Sequence, residues 1–136
     1  MKNILVTGGA GFVGTNLIKK LLDDGYNVVS TDNYSTGKKE NEQDGCKYYE
    51  IDLSDKVSID SLESIRTVSQ IPKFDIIFHL AAKARIVPSI QNPTKSLFNN
   101  INSTINILEF ARLKDIPVVY AGSSSAHGDI YANPYT

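Results

Sequence analysis

The stretch Thr7-Gly8-Gly9-Ala10-Gly11-Phe12-Val13-Gly14 constrains the fold more than any other part of this chain. It leaves the apolar run Ile4-Leu5-Val6 and enters a segment in which Val13, Leu17, Ile18, Leu21 and Leu22 recur at helical spacing. A glycine turn between a strand and a helix has a specific use. Gly8 suits the tight turn, Gly11 keeps a Cβ out of the way of an approaching pyrophosphate, and Gly14 lets the helix pack close to the strand. Phe12 and Val13 open a helix whose unpaired first-turn N–H groups favour an anion. A plain turn can carry the same glycines, and the flanking strand and helix are what select the phosphate-binding reading.

Four more short apolar runs, at 27–31, 47–51, 75–80 and 117–121, join the run at 3–7 as predicted strands. Most are apolar at consecutive positions, the pattern of strands covered on both faces. Helical spacing recurs at Ile59, Leu62, Ile65 and Val68, ahead of Pro72. It recurs again over 94–114, where Leu97, Ile101, Ile105, Leu108 and Ala111 share one side and Pro93 precedes. Gly25 reads as the stop of the first helix. Strands alternating with helices predict an α/β fold, a Rossmann-like doubly wound parallel sheet of five strands in one domain spanning 1–136. The polar stretch 33–45 reads as a ligand-facing loop.

Composition narrows the class of partner. With 41% hydrophobic and 21% charged residues and a net charge of -1, the chain is globular and carries no basic surface for nucleic acid. The one cysteine, Cys46, cannot make an internal disulfide, no Cys/His cluster has metal-ligand spacing, and a reducing compartment is expected. The first apolar run is far short of the roughly 20 residues of a membrane span, so no membrane partner and a cytoplasmic location are expected.

Candidate binding residues fall at the carboxyl ends of the predicted strands, where open α/β sheets take ligands. Asp32 ends the second strand, where a carboxylate can accept both hydroxyls of an adenosine ribose, which favours NAD over NADP. It is also an ordinary turn residue. Asn33, Ser35, Thr36 and Gly37 would wrap the adenosine side, and Lys38 with Lys39 leaves some tolerance of a 2′-phosphate. Asp52, followed by Leu53, has two readings, a cofactor contact or an Asx turn before the next helix. Leu80, Ala81 and Ala82 follow the fourth strand, and the small alanines would let a cofactor lie against the backbone. His79 reads as a packed strand-end residue rather than a catalyst.

Taken in order, these motifs resemble the NAD-dependent epimerase/dehydratase family of the extended short-chain dehydrogenase/reductase superfamily, and among its members the nucleotide-sugar 4-epimerases. The resemblance runs through the glycine loop, Asp32-Asn33-Tyr34-Ser35-Thr36-Gly37, Asp52-Leu53-Ser54-Asp55, and His79-Leu80-Ala81-Ala82 with Ala84-Arg85, Pro88-Ser89 and Asn92-Pro93. It continues in Asn100, Ser103-Thr104, Asn106 and Leu108-Glu109, with Ser103 where the family usually has glycine. Asn100 is implied as a further cofactor contact. Counting back from Gly128 in the serine-rich segment 120–129, the resemblance implies Ser123 as the catalytic hydroxyl. Ser124, Ser125, Lys83 and Arg85 are implied as substrate contacts, and His127 stands where tyrosine is usual.

Asn133-Pro134-Tyr135 is similar to the family's entry to its Tyr-x-x-x-Lys pair, which makes Tyr135 the implied base, 12 residues after Ser123. Without the resemblance, a turn tyrosine and a serine loop are the alternatives. The partner lysine would fall beyond Thr136, as would the helix that carries it, the later strands and the sugar-binding part. The chain is then either a fragment of a longer enzyme or a short form that borrows or dispenses with those parts. The implied activity is nucleotide-sugar epimerisation, or a related dehydration, with hydride passing to and from NAD. Lack of a Thr-Asp-Glu triplet in the serine segment favours epimerisation over dehydration. A non-catalytic NAD-binding or assembly module, an inactive fragment and a plain reductase are the rivals. The helix at 94–114 is the expected face for a homo-oligomer, with Leu97, Phe98, Ile101, Ile105 and Leu108 partly uncovered.

Overall fold

The computed structural model describes residues 1–56, 58–83 and 85–123. In chain order these form β1 (Asn3–Thr7), α1 (Phe12–Asp23), β2 (Asn27–Asp32), one 3-10 turn (Lys39–Asn41), β3 (Lys47–Glu50), α2 (Ser58–Val68), β4 (Ile76–His79), α3 (Ile86–Gln91), α4 (Pro93–Lys114) and β5 (Val118–Tyr120). The strands make one five-stranded sheet in the order β3-β2-β1-β4-β5. Every pairing is parallel, as the consecutive apolar runs predict. The chain winds outward from β1 in one direction to β3 and then returns to place β4 on the other side. That reversal leaves a crevice above the carboxyl ends of β1 and β4.

Alternation along the strands divides the core in two. Leu5, Val29 and Ile77 face one layer and pack with Leu53, Leu62, Phe74, Ile107 and Phe110 under α2 and α4. Ile4, Val6 and Val28 face the other and pack with Ile18 and Leu21 of α1. The helices stop for local reasons. After α1, Gly25 takes φ +83, its N–H bonds Leu22 O at 3.0 Å, and the Tyr26 N–H bonds Leu21 O at 3.0 Å, which satisfies two of the last carbonyls. At the start of α4, the Asn92 side chain accepts from the Lys95 N–H at 3.1 Å and Pro93 occupies the first position.

Two sequence expectations change. The short helix α3 is not predicted. Its Pro88 sits at the third helical position, in the first turn, where its missing N–H has no intrahelical partner to lose. In α4 the predicted stripe splits: Leu97, Phe98, Ile101, Ile105 and Leu108 are exposed, as expected of an uncovered face, whereas Ala111 of the same stripe faces inward with Ser96, Ser103, Ile107 and Phe110. Apolar residues occur around most of this helix, so its periodicity does not choose the buried side. The small Ser96 and Ser103 occupy the inward face where a bulky side chain would hold the helix off. None of the described helices is long and apolar enough to cross a membrane.

Candidate functional site

The glycine loop lies across the crevice, and its glycines are there for different reasons. Gly8 has φ +75, and a Cβ on it would lie 2.9 Å from Ala81 N, so the loop is pressed against the segment leaving β4. On Gly14 a Cβ would lie 2.3 Å from Gly8 O and 2.7 Å from Gly9 Cα, which makes this glycine the condition for seating α1 on its own loop. Gly9, which the motif spacing does not single out, is as demanding, since its Cβ would meet Ser30 Oγ at 1.9 Å. Gly11 differs. Its Cβ would find only Gly8 O, at 3.4 Å, and it lines the cleft, so nothing among the described residues requires it to be glycine. No side chain caps the first turn of α1, where Phe12 and Val13 project outward.

Asp32 ends β2 beside this loop and is nearly buried. Its Oδ2 accepts from the Ala10 N–H at 3.0 Å and its Oδ1 from the Tyr34 N–H at 2.8 Å. Each oxygen keeps further lone-pair capacity towards the cleft that it lines. Asn33, Ser35 and Thr36 line the same end of the cleft, with Asn33 Oδ1 accepting from the Ser35 N–H at 3.0 Å, while Gly37 packs behind against Ala10 and Asp32. Opposite them, Asp52 both lines the cleft and forms the Asx turn that the sequence allowed, its Oδ1 accepting from Ser54 N at 3.0 Å and from Ser54 Oγ at 2.6 Å. Leu53 is buried beneath it.

The far wall is the segment after β4. Leu80, Ala81, Ala82 and Lys83 run along the cleft and on into a second cavity that also reaches Tyr120 and Ser123. Asn100 of α4 pins this wall: its Oδ1 accepts from the Lys83 N–H at 2.8 Å and its Nδ2 donates to Lys83 O at 3.3 Å. Ser123 is therefore brought to the same cavity as Lys83, whereas Arg85 is exposed at the cap of α3. Ser124, Ser125 and Tyr135 lie outside the described residues.

His79, at the end of β4, lines the second cavity. Thr7 Oγ1 accepts from the N–H groups of Leu80 and Ala81, both at 3.2 Å, and lies 2.8 Å from His79 Nδ1. With both lone pairs engaged, the Thr7 hydroxyl has only its proton left to give, so Nδ1 accepts and Nε2 carries the ring proton. That proton is donated to Thr104 Oγ1 at 3.0 Å. Burial pushes the His79 pKa down to about 4 from the ordinary 6.5. The unfolded chain therefore takes up this proton at higher pH than the folded one. The neutral ring's contribution is whole above pH 6.5 and is lost as pH falls towards 4. This span corresponds to roughly 3 kcal/mol. Denaturant unfolding followed between those limits should show the loss, and His79→Gln should retain only the smaller loss due to carboxylates.

Comparison with known proteins agrees with this geometry. Residues 4–135 match the family model described as the NAD dependent epimerase/dehydratase family. The chain is 35% identical over 131 residues to a putative UDP-glucose 4-epimerase of Methanocaldococcus jannaschii, covering 96% of this chain and 40% of that protein. It is 35% identical to UDP-glucuronic acid decarboxylase 1 of Danio rerio, covering 98% of this chain and 30% of that protein. Among solved structures, the UDP-glucose 4-epimerase of Thermus thermophilus in complex with NAD superposes with a TM-score of 0.77 at 32% identity, covering 89% of this chain and 37% of that one. The chain thus spans less than half the length of the relatives it matches. With the parallel sheet, the glycine loop and the strand-end carboxylate all in place, this chain belongs to the NAD-dependent epimerase/dehydratase family.

Proposed function

We propose that this chain is the NAD-binding part of a nucleotide-sugar epimerase or related dehydratase. The observation that carries the proposal is the cleft lined by both Gly11, at the uncapped start of α1, and Asp32, at the end of β2. A dinucleotide fits those groups: the Gly11 backbone and the first turn of α1 would take the pyrophosphate, and Asp32 would take the ribose hydroxyls. Asp52, Leu53 and Asn33 would flank the adenosine, with Ser35, Thr36, Gly37, Ala81, Ala82 and Asn100 completing the site. Asp32 favours NAD over NADP, because a 2′-phosphate would meet its carboxylate. When bound, the cofactor supplies a hydride acceptor that can return the hydride.

The sugar chemistry falls to the second cavity. Ser123 would hydrogen-bond the reacting hydroxyl and Tyr135 would move its proton, while Lys83, Arg85, Ser124 and Ser125 would contact the substrate. A protein continuing past Thr136 with a lysine four positions after Tyr135 is expected to interconvert epimers of a UDP-sugar, followed by NMR of the sugar. Failure to epimerise or oxidise any nucleotide sugar would sink the proposal. Binding of NAD without conversion would instead make the chain a non-catalytic cofactor module. The cytoplasm is the proposed compartment.

The outer face of α4 is proposed to pair with that of a second copy. Leu97 and Phe98, each 59% exposed, continue through Ile101, Ile105 and Leu108 as one apolar strip. Sedimentation at rising concentration should show dimers, which Ile105→Glu should shift to monomer. A clean monomer at high concentration removes this part of the proposal.

A further inference from the structure

The backbone of Ala10 ties the glycine loop to the end of β2 and to the loop that follows it. Its N–H donates to Asp32 Oδ2 at 3.0 Å. Its carbonyl accepts twice, from the Lys38 N–H at 3.2 Å and from Asn41 Nδ2 at 2.9 Å. Ala10 is fully buried, so these bonds are the means by which the 33–41 loop is fastened to the glycine loop. Gly37 lies within the clasp, where a Cβ would be 2.9 Å from Ala10 Cβ and 3.0 Å from Asp32 Oδ2. With Tyr34 N–H on its other oxygen, the Asp32 carboxylate has no slack in which to turn.

We infer that Asn41 is a positioning residue that closes the 33–41 loop onto Ala10 and thereby sets the discrimination between a ribose 2′-hydroxyl and a 2′-phosphate at Asp32. The inference rests on the cofactor reading of the cleft. A 2′-phosphate needs the carboxylate to swing away or a cation to come in, and the closed loop prevents both. Lys39, a neighbouring cation, is held elsewhere: its Nζ is 5.3 Å from the centre of the Tyr34 ring and 3.9 Å from Glu50 Oε2. The Tyr34 hydroxyl donates to Glu42, and Tyr34 sits at φ +56, a backbone conformation a tyrosine leaves once its anchors go. Loss of the Asn41 amide would leave the Lys38 N–H as the one remaining bond from this loop to Ala10 O, and so loosen the loop that flanks the carboxylate and carries the lysine.

The test is titration calorimetry of NAD and NADP on the 136-residue chain and its Asn41→Ala and Asn41→Asp forms, with amide exchange at Lys38 in the ligand-free proteins. Aspartate has the shape of asparagine but no N–H to give, so in the exchange measurement it separates the hydrogen bond from packing; its added charge disfavours a 2′-phosphate, so the cofactor ratio is read from Asn41→Ala. Asn41→Ala is expected to lower the ratio of NADP to NAD dissociation constants at least tenfold. Both variants should also speed exchange at Lys38 at least tenfold relative to the β1 amides, which report that the fold is intact. An equal loss of both cofactors in Asn41→Ala, or an Asn41→Asp form that exchanges as wild type does, overturns the inference. If the wild-type chain binds neither dinucleotide, the cofactor reading falls. Exchange at Lys38 then decides the clasp alone, and an unchanged rate overturns it.

Discussion

Asp32→Ala is expected to weaken NAD binding by roughly a hundredfold, because two charge-assisted hydrogen bonds to ribose hydroxyls contribute about 1.5 kcal/mol or more each. The same carboxylate also holds the Ala10 and Tyr34 N–H groups. Its removal leaves Ala10 N–H buried without an acceptor, and stability should fall by about 2 kcal/mol. The two consequences are separable. Asp32→Asn keeps one carbonyl oxygen for either backbone donor and loses the charge, so it should regain part of the stability while recovering little of the affinity. Calorimetric titration gives the binding and denaturant unfolding the stability. An Asp32→Ala chain that binds NAD as wild type does would remove the ribose role and leave Asp32 as a fastener of the loop alone.

What the sequence made legible is what local spacing determines. Each predicted strand lies within one residue of the observed element at either end, because runs such as Ile4-Leu5-Val6 are too short to form anything else that buries them. The positions of the glycine loop and of Asp32 were legible for a related reason, since they follow from distance along the chain from β1 and β2. Where a role depends on a contact across the fold, the sequence carries no mark of it. Asn41 reads as one polar residue in a polar loop, and only the folded chain brings its amide to Ala10 O. His79 reads correctly as a packed residue, but the tether from Thr7 to Thr104 joins positions on three different elements. Gly9 was overlooked because the motif counts Gly8, Gly11 and Gly14. The requirement at Gly9 comes from Ser30 on the neighbouring strand.

Glycines of one motif should fail in opposite ways. In Gly14→Ala the new methyl would lie 2.3 Å from Gly8 O, a contact with backbone that no rotamer change relieves. Either α1 lifts from β1 or the loop is pushed into the cleft. The expected loss is about 3 kcal/mol or more, a fall in Tm on the order of 10 °C. Gly11→Ala meets only an ordinary contact at 3.4 Å, and with φ -82 and ψ 175 its backbone suits any residue. Its stability cost should stay below about 1 kcal/mol, the difference between glycine and alanine as a helix cap. Its NAD affinity should nevertheless fall at least tenfold, since the methyl would stand where the pyrophosphate meets the backbone. Thermal unfolding beside calorimetric titration separates the cases: Gly14 answers to the fold and Gly11 to the ligand. A Gly11→Ala chain with full NAD affinity would mean that the anion does not approach there, and the cleft would have to hold some other ligand.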